Sequence, residues 1–352
     1  MRPPYLTVGM RLEVLANLVR RHGVTPTPRY LGRLAFCTQA AGWSSLVAAL
    51  ERRHAREISA PLDPIIIPSH WRTGTTLVHQ LMSLDPHLAC PSLFQTTLPD
   101  SFLSSRPYAE PLLARAMSGP RPMDNVQLAF DAPQEDEYAL YRLTGRSPLT
   151  RLIFPRAPGQ GYFLDGDDTF LPRSPQARRS WEAALVAFVA RVQHQARGRR
   201  VVLKNPFHAA RLETLLRLFP SARFLHIRRS PLAVVPSTLR MWGIVAGDNT
   251  LRRGGAAPTM RQVARAYGRI TRRLEAGLAT LPPGRVATIR FEELEARPLE
   301  VMTAAYAELG LPVEPELERA MAAFERNNRA YKKNRYELSV AQRDLILDEL
   351  GD

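Results

Sequence analysis

Two short stretches carry the residue types best suited to chemistry. The first is Ser69-His70-Trp71-Arg72-Thr73-Gly74-Thr75-Thr76, set between an isoleucine run and an apolar helical pattern. A glycine there lets the backbone turn tightly, and amides at the start of the helix, with the two threonine hydroxyls, can donate to the oxygens of a phosphate. Arg72 adds a planar cationic fork. The first glycine and the Lys-Ser/Thr pair of the nucleoside-triphosphatase loop are missing. A threonine-capped helix without a ligand is the plain alternative. The second stretch is Arg228-Arg229-Ser230-Pro231, with Ser237 eight residues past Arg229. An arginine at a strand end and a hydroxyl on the next helix can close around a second phosphate; a surface arginine pair is the alternative. Two such strand ends in one sheet imply a ligand with two phosphate groups.

The elements that must position these residues read as alternating strands and helices. Ile65-Ile66-Ile67, bounded by Pro64 and Pro68, reads as a buried parallel strand. A helix follows through Leu77, Leu81 and Leu84. Residues 134–144 predict a helix with Pro133 near its first turn and Glu135, Asp136 and Glu137 at its start, where acids suit the helix dipole. Residues 145–172 are Pro- and Gly-rich and predict a long loop or lid, and 175–197 a helix. Val201–Leu203 and Arg223–Ile227 read as strands, with a helix from Pro231 to Trp242 and a basic loop over 243–257. Val286–Phe291 is a last strand between helices at about 259–280 and 298–309. This alternation predicts right-handed crossovers and a parallel sheet covered on both faces, with ligands at the carboxyl ends of its strands.

With both stretches in hand, the chain resembles the PAPS-dependent sulfotransferase superfamily, in particular its bacterial-type branch. Residues 70–76 match its 5′-phosphosulfate loop, and residues 224–237 match the spacing of its 3′-phosphate motif. A segment like PQEDE (Pro133 to Glu137), one like LKNPxH (Leu203 to His208) and a closing IRFEELEARPLEVMTAAYAELGLP extend the likeness over about residues 62–340. The resemblance implies a three-layer α/β/α fold with a central parallel sheet of the P-loop nucleotide-kinase-like kind and helical additions at both termini. It divides the chain into an N-terminal helical segment, 1–60, and a sulfotransferase α/β domain, 61–352. It implies that Arg72, Thr73, Gly74, Thr75 and Thr76 hold the 5′-phosphosulfate of 3′-phosphoadenosine 5′-phosphosulfate (PAPS), the donor cosubstrate, and that Arg229 and Ser237 hold its 3′-phosphate. The implied reaction is sulfuryl transfer to a hydroxyl of a small molecule, lipid or sugar, with no metal and catalysis by positioning and electrostatics.

Lys204, at a strand end, is the candidate for stabilising the transferring group or the bridge oxygen. For the general base two assignments stand. In cytosolic members of the superfamily a histidine sits two residues past the equivalent lysine, but Pro206 stands there, leaving His208 as a substitute. The other candidates are Glu135, Asp136 and Glu137, with the two glutamates preferred for reach. Against the trio, a helix N-terminus lowers carboxylate basicity, and a purely structural role would have it cap its helix and pair with Arg142. The run Tyr331-Lys332-Lys333-Asn334-Arg335 is a further segment that closes over a nucleotide or is simply solvated.

Composition narrows the alternatives. A net charge of +15 in 352 residues favours anionic partners without choosing among them. A non-catalytic nucleotide- or polyanion-binding protein would account for the charge but not for the paired motifs. A P-loop kinase would need a Walker lysine and a magnesium-binding acid, and neither is apparent. Cys37 and Cys90 stand alone, which argues against a disulfide framework or zinc site. The N-terminus lacks the apolar core of a secretory signal, so a cytoplasmic enzyme is expected. The longest uncharged run, Leu34 to Leu50, is too polar to span a membrane. Its pattern puts Trp43, Leu46, Val47 and Leu50 on one face. That predicts a helix packed on the core or, flanked by Arg29, Arg33, Arg52 and Arg53, a helix making peripheral membrane contact through residues 29–53.

Overall fold

The structure, a computed structural model, describes residues 5–52, 61–113, 119–120, 127–155, 169–254, 258–328 and 336–350. From the N-terminus the chain forms helices α1 (Leu12–His22) and α2 (Pro28–Arg52), strand β1 (Ile65–Ile67), α3 (Thr75–Met82) and strand β2 (Leu88–Ala89). Then come α4 (Leu93–Thr97), α5 (Arg106–Leu113), an antiparallel pair β3 (Gly119–Pro120) and β4 (Gln127–Leu128), α6 (Asp136–Thr144), α7 (Thr150–Ile153) and α8 (Pro175–Gln195). Strand β5 (Arg200–Lys204), a 3-10 turn (Pro206–Ala210), α9 (Leu212–Leu218), β6 (Arg223–Arg228) and α10 (Pro231–Asn249) follow. The chain closes with α11 (Met260–Leu278), β7 (Val286–Arg290), α12 (Phe291–Ala296), α13 (Pro298–Glu308), α14 (Pro315–Asn328) and α15 (Val340–Leu350).

The residues pack as two compact units. One comprises Met1–Ala60, Pro91–Gln195 and Arg240–Pro258; the other comprises Pro61–Cys90, Ala196–Leu239 and Thr259–Asp352.

The second unit is built on a five-stranded sheet in the order β2-β5-β1-β6-β7, every pair parallel. Parallel strands covered on both faces need apolar residues at every position, and Ile65, Ile66 and Ile67 are all fully buried. One face places Ile65, Ile67, Val202, Leu225, Ile227 and Ile289 against Val78, Leu81 and Met82 of α3 and Met302, Tyr306 and Met321 of α13 and α14. The opposite face is covered by α11, whose Glu275 Oε1 lies 3.2 Å from Nε2 of His226. Three layers result, as the sequence predicts. Because β1 lies between β5 and β6, the chain segments leaving the carboxyl ends of these three strands start side by side.

Among the described residues, the regular elements of the first unit are helices apart from the small β3–β4 pair. Its buried side chains include Leu15 and Leu18 of α1, Leu140 and Tyr141 of α6 and Trp181, Leu185 and Phe188 of α8. Two expectations are corrected here. The helix from Pro231 runs to Asn249 instead of ending at Trp242, so the expected loop over 243–257 is helical in its first seven residues. Its C-terminus is held by tertiary bonds: Arg33 donates to the carbonyls of Thr250 (2.8 Å) and Gly247 (3.1 Å), and the Asn249 side chain accepts from the Leu6 amide (2.9 Å). The Arg33 bonds satisfy carbonyls at the end of the helix that the helix itself leaves without partners. Second, α2 does not turn its large apolar residues to the core. Leu46 and Leu50 are 61% and 51% exposed, while Arg33, Cys37, Ala41, Ser44, Ala48 and Glu51 are buried.

Candidate functional site

The loop after β1 is held from below. Ser69 Oγ accepts from the Ile227 amide (2.7 Å) and lies 3.1 Å from Nδ1 of His226, so a hydroxyl bonds the ends of β1 and β6. His70 is buried between Trp71 and Tyr267, both edge-on at 4.9 Å. Burial lowers its pKa to about 4, so the ring is neutral, and its Nδ1–H donates to the Trp71 carbonyl (3.0 Å). Thr73 Oγ1 donates to the His70 carbonyl (2.8 Å), tightening the loop.

The turn into α3 depends on Gly74. Its φ of 106° lies in the left-handed region, and a Cβ there would sit 2.1 Å from Cδ2 of Phe291. No other residue fits that backbone against that ring. Arg72 also has a positive φ, 64°. Thr75 opens α3 and is buried, with Thr76 half-buried beside it.

Arg72, Arg229 and Ser237 form one bonded group. Arg229 Nη1 donates to the Arg72 carbonyl (2.8 Å), and Arg72 Nε donates to Ser237 Oγ (2.9 Å). The Arg229 guanidinium lies 3.9 Å from the centroid of the Phe291 ring, a cation–π contact. Phe291 therefore floors both stretches, touching Gly74 with its edge and Arg229 with its face. The Arg229 carbonyl accepts from Tyr267 Oη (2.9 Å), and burial pushes that phenol up to about 12, so it stays a donor. Tyr336 Oη reaches to 3.5 Å from Ser237 Oγ. Beneath them, the bond from His226 and then the pairing with Arg228 hold the Glu275 carboxyl down at about 2.

Lys204 ends β5 in register with Ile67 and is buried. His208 is fully buried in the following 3-10 turn, its Nδ1 3.5 Å from Nη1 of Arg211. So Arg72, Thr73, Gly74, Thr75, Thr76, Lys204, His208, Arg229 and Ser237 all belong to the second unit, on segments leaving neighbouring strands.

The acidic trio belongs to the first unit. Glu135 is the N-cap residue of α6 and is half-buried; Asp136 and Glu137 are fully buried in its first turn. Glu137 Oε1 accepts from Ser147 Oγ at 2.6 Å. The pairing of the trio with Arg142 is not formed: that guanidinium donates to the carbonyls of Val8, Thr96 (3.0 Å) and Tyr5 (3.0 Å). Ser147 lines a cavity of about 430 Å³ whose wall also carries Arg146, Arg151, Phe154, Phe170 and Arg173. The segment Tyr331–Arg335 and part of the predicted lid, 156–168, lie outside the described residues. Among the described residues no group of acids, histidines and cysteines is arranged to hold a metal.

Sequence reasoning missed Phe291, Tyr267, Tyr336 and the Ser69–His226–Glu275 chain. The one available signal was His226, a polar residue inside an otherwise apolar strand.

A parallel α/β sheet with bonded arginines at two adjoining strand ends is an arrangement suited to anionic ligands, and the chain belongs to the sulfotransferase family, whose profile it matches over residues 64–315. It is a sulfotransferase. It is 32% identical over 315 residues, 88% of this chain and 78% of the relative, to the omega-hydroxy-beta-dihydromenaquinone-9 sulfotransferase Stf3 of Mycobacterium bovis, and equally to that of Mycobacterium tuberculosis. In fold it is similar to the sulfotransferase STF9 of Mycobacterium avium (TM-score 0.69, 18% identity, 97% of this chain and 96% of the other). It is also similar to STF1 of Mycobacterium tuberculosis H37Rv (TM-score 0.62, 18% identity, 97% and 90%).

Proposed function

We propose that the sulfuryl donor is PAPS and that the acceptor is a hydroxyl carried by a lipid. The donor reading is carried by one observation: Arg229, Arg72 and Ser237 are bonded to one another across the ends of β1 and β6. A bisphosphorylated adenosine needs cationic forks for two phosphate groups within one nucleotide's span, and this group supplies them. The loop from Arg72 to Thr76 takes the 5′-phosphosulfate and the Arg229–Ser237 pair the 3′-phosphate. The acceptor reading is supported by the relatives that act on an omega-hydroxylated dihydromenaquinone. A lipid acceptor places the reaction at a membrane surface.

In the proposed reaction the acceptor oxygen attacks sulfur in line with the bridge oxygen of the 5′-phosphosulfate. The new O–S bond forms as the old S–O bond breaks, the acceptor proton passes to a base, and 3′,5′-adenosine bisphosphate leaves with the bridge oxygen. Arg72 and Lys204 balance the charge on the sulfuryl oxygens and the leaving oxygen. The candidates for that base are Glu135 and Glu137 at the start of α6 and His208. Glu135 has the exposure to meet an acceptor directly, and Glu137 is oriented by Ser147. His208 is fully buried against Arg211 and so is less accessible to an acceptor.

Thermal unfolding with 3′,5′-adenosine bisphosphate tests the donor. A ligand at 100 times its Kd adds about 2.7 kcal/mol to the folded state, so the bisphosphate should raise Tm by several degrees and AMP by little. Equal shifts from AMP and the bisphosphate would remove the 3′-phosphate site. Labelled PAPS offered with long-chain and short-chain alcohols tests the acceptor, with transfer to the long-chain alcohol expected to be faster.

A further inference from the structure

Helix α2 is amphipathic in reverse. The face it buries is polar or small: Arg33, Cys37, Ala41, Ser44, Ala48 and Glu51 recur every three or four residues, a helical stripe. Each polar residue on that stripe makes at least one bond. Arg33 binds two carbonyls, Cys37 Sγ lies 3.0 Å from Thr7 Oγ1, Ser44 donates to Ala40, and Glu51 pairs with Arg191 and accepts from Ser104 (2.9 Å). The inward face is thus fixed by specific bonds and is not free to rotate outward.

The large apolar residues are on the outside. Leu31, Phe36, Leu46 and Leu50 are 48%, 41%, 61% and 51% exposed, with Gly32, Ala35, Ala49 and the uncharged Thr38 and Gln39 exposed among them. The stretch Leu34–Leu50 contains no charge in a chain that carries 81 charged residues, 48 basic and 33 acidic. Elements bonded to α2 also carry exposed apolar residues. Leu12 is 42% exposed, and its amide is bonded to Ser45 Oγ; Tyr108, 71% exposed, lies one turn beyond Ser104, which Glu51 binds. At the N-terminal end of α2 stand the exposed arginines Arg20, Arg21 and Arg29, and Arg52 and Arg53 follow the apolar run in sequence. No described helix is long and apolar enough to cross a membrane.

We infer that this face of α2 is a docking surface for an anionic phospholipid bilayer, with the helix lying in the plane of the headgroups. At about 1.5 Å per residue its 25 residues span roughly 37 Å, long enough to seat Leu31, Phe36, Leu46 and Leu50 in the acyl boundary together. Charge decides for lipid over a protein partner: the apolar stripe is uncharged and its flanks are cationic, the pattern of a helix that binds an anionic interface. A second copy of the chain would set the same arginines against each other. The inference rests on the reading of the acceptor as a lipid, since it brings the enzyme to the phase that dissolves such a molecule.

The test uses the full chain without donor or acceptor. Co-sedimentation with vesicles of phosphatidylglycerol and phosphatidylcholine should carry the protein down, phosphatidylcholine alone should carry far less, and 0.5 M salt should weaken the binding to the anionic vesicles. A triple variant, F36S/L46S/L50S, should lose about tenfold or more in partitioning. Its Tm and its transfer to a short, water-soluble alcohol should be unchanged, because these residues are exposed. Equal partitioning of the variant and the parent chain would overturn the inference. So would a parent chain that ignores vesicles, or one that forms dimers abolished by the triple variant. Failure of the acceptor reading is read separately: vesicle binding would persist while a long-chain alcohol is no better a substrate than a short one.

Discussion

At the scale of single residues, the site is held by contacts that leave little room for substitution. Arg229 sits on Phe291 and bonds the Arg72 carbonyl, so its fork is fixed before any ligand arrives. Arg229→Ala should weaken binding of 3′,5′-adenosine bisphosphate by 1–2 orders of magnitude in calorimetry, and Arg229→Lys should recover only part of it, because an ammonium cannot bond in two directions from one plane. Gly74→Ala should cost more than about 1 kcal/mol in a denaturant titration and abolish nucleotide binding, since the new methyl meets the Phe291 ring. Removing the ring in a double variant relieves the clash but not the left-handed φ, so rescue should be partial. Glu135→Gln and Glu137→Gln should leave nucleotide affinity intact, and the variant lacking the base should turn over about a hundredfold or more slowly. The residues proposed to bind anions could be picked out in the sequence because phosphate chemistry favours glycine, hydroxyls and arginine at fixed spacing from a strand end. Phe291 was not legible: an aromatic after a strand is ordinary, and only the pairing of β6 with β7 brings it under Arg229.

At the scale of elements, polar side chains inside apolar packing decide details that periodicity cannot. Strand β6 carries His226, whose ring bonds Ser69 on one side and Glu275 of α11 on the other. The Glu275 carboxyl titrates at about 2 when folded, below its ordinary 4.5. A depressed carboxylate stabilises the fold above its unfolded pKa, and that contribution is lost as pH falls towards the folded value. The loss should therefore run from about pH 4.5 down to about pH 2. Acid unfolding followed by circular dichroism should show a shallower slope in that window for Glu275→Gln than for the parent chain. Helices α2 and α10 were legible as helices but not in their facing or length, for one shared reason. Arg33 leaves α2 to bind the carbonyls at the end of α10, which extends the second helix and turns the polar stripe of the first inward. An arginine at that position looks like a surface residue until its partners, 214 and 217 residues away, are known. Arg33→Met should cost about 1.5–3 kcal/mol, the range for hydrogen bonds made by a charged group, and should lower the Tm.

At the scale of the whole molecule, alternation of strands and helices was enough to predict the parallel sheet, and the order β2-β5-β1-β6-β7 then places three polar strand ends together. The excess of 15 positive charges was less informative, since many of the arginines are spent on acids and carbonyls within the fold.

The grouping of segments has a consequence for how the protein is made. The helical unit is assembled from the beginning, the middle and residues 240–258 of the chain. The bond from Asn249 to the Leu6 amide bridges 243 positions, and those from Arg33 bridge more than 200. At roughly 5–20 residues per second, a ribosome needs about 10–45 s to supply the partners of Arg33 after Arg33 itself has been joined. Throughout that interval Arg33 lacks the carbonyls it binds in the folded chain. The helical unit therefore cannot complete these bonds until residue 250 has been joined, and its first helices must wait for the end of α10.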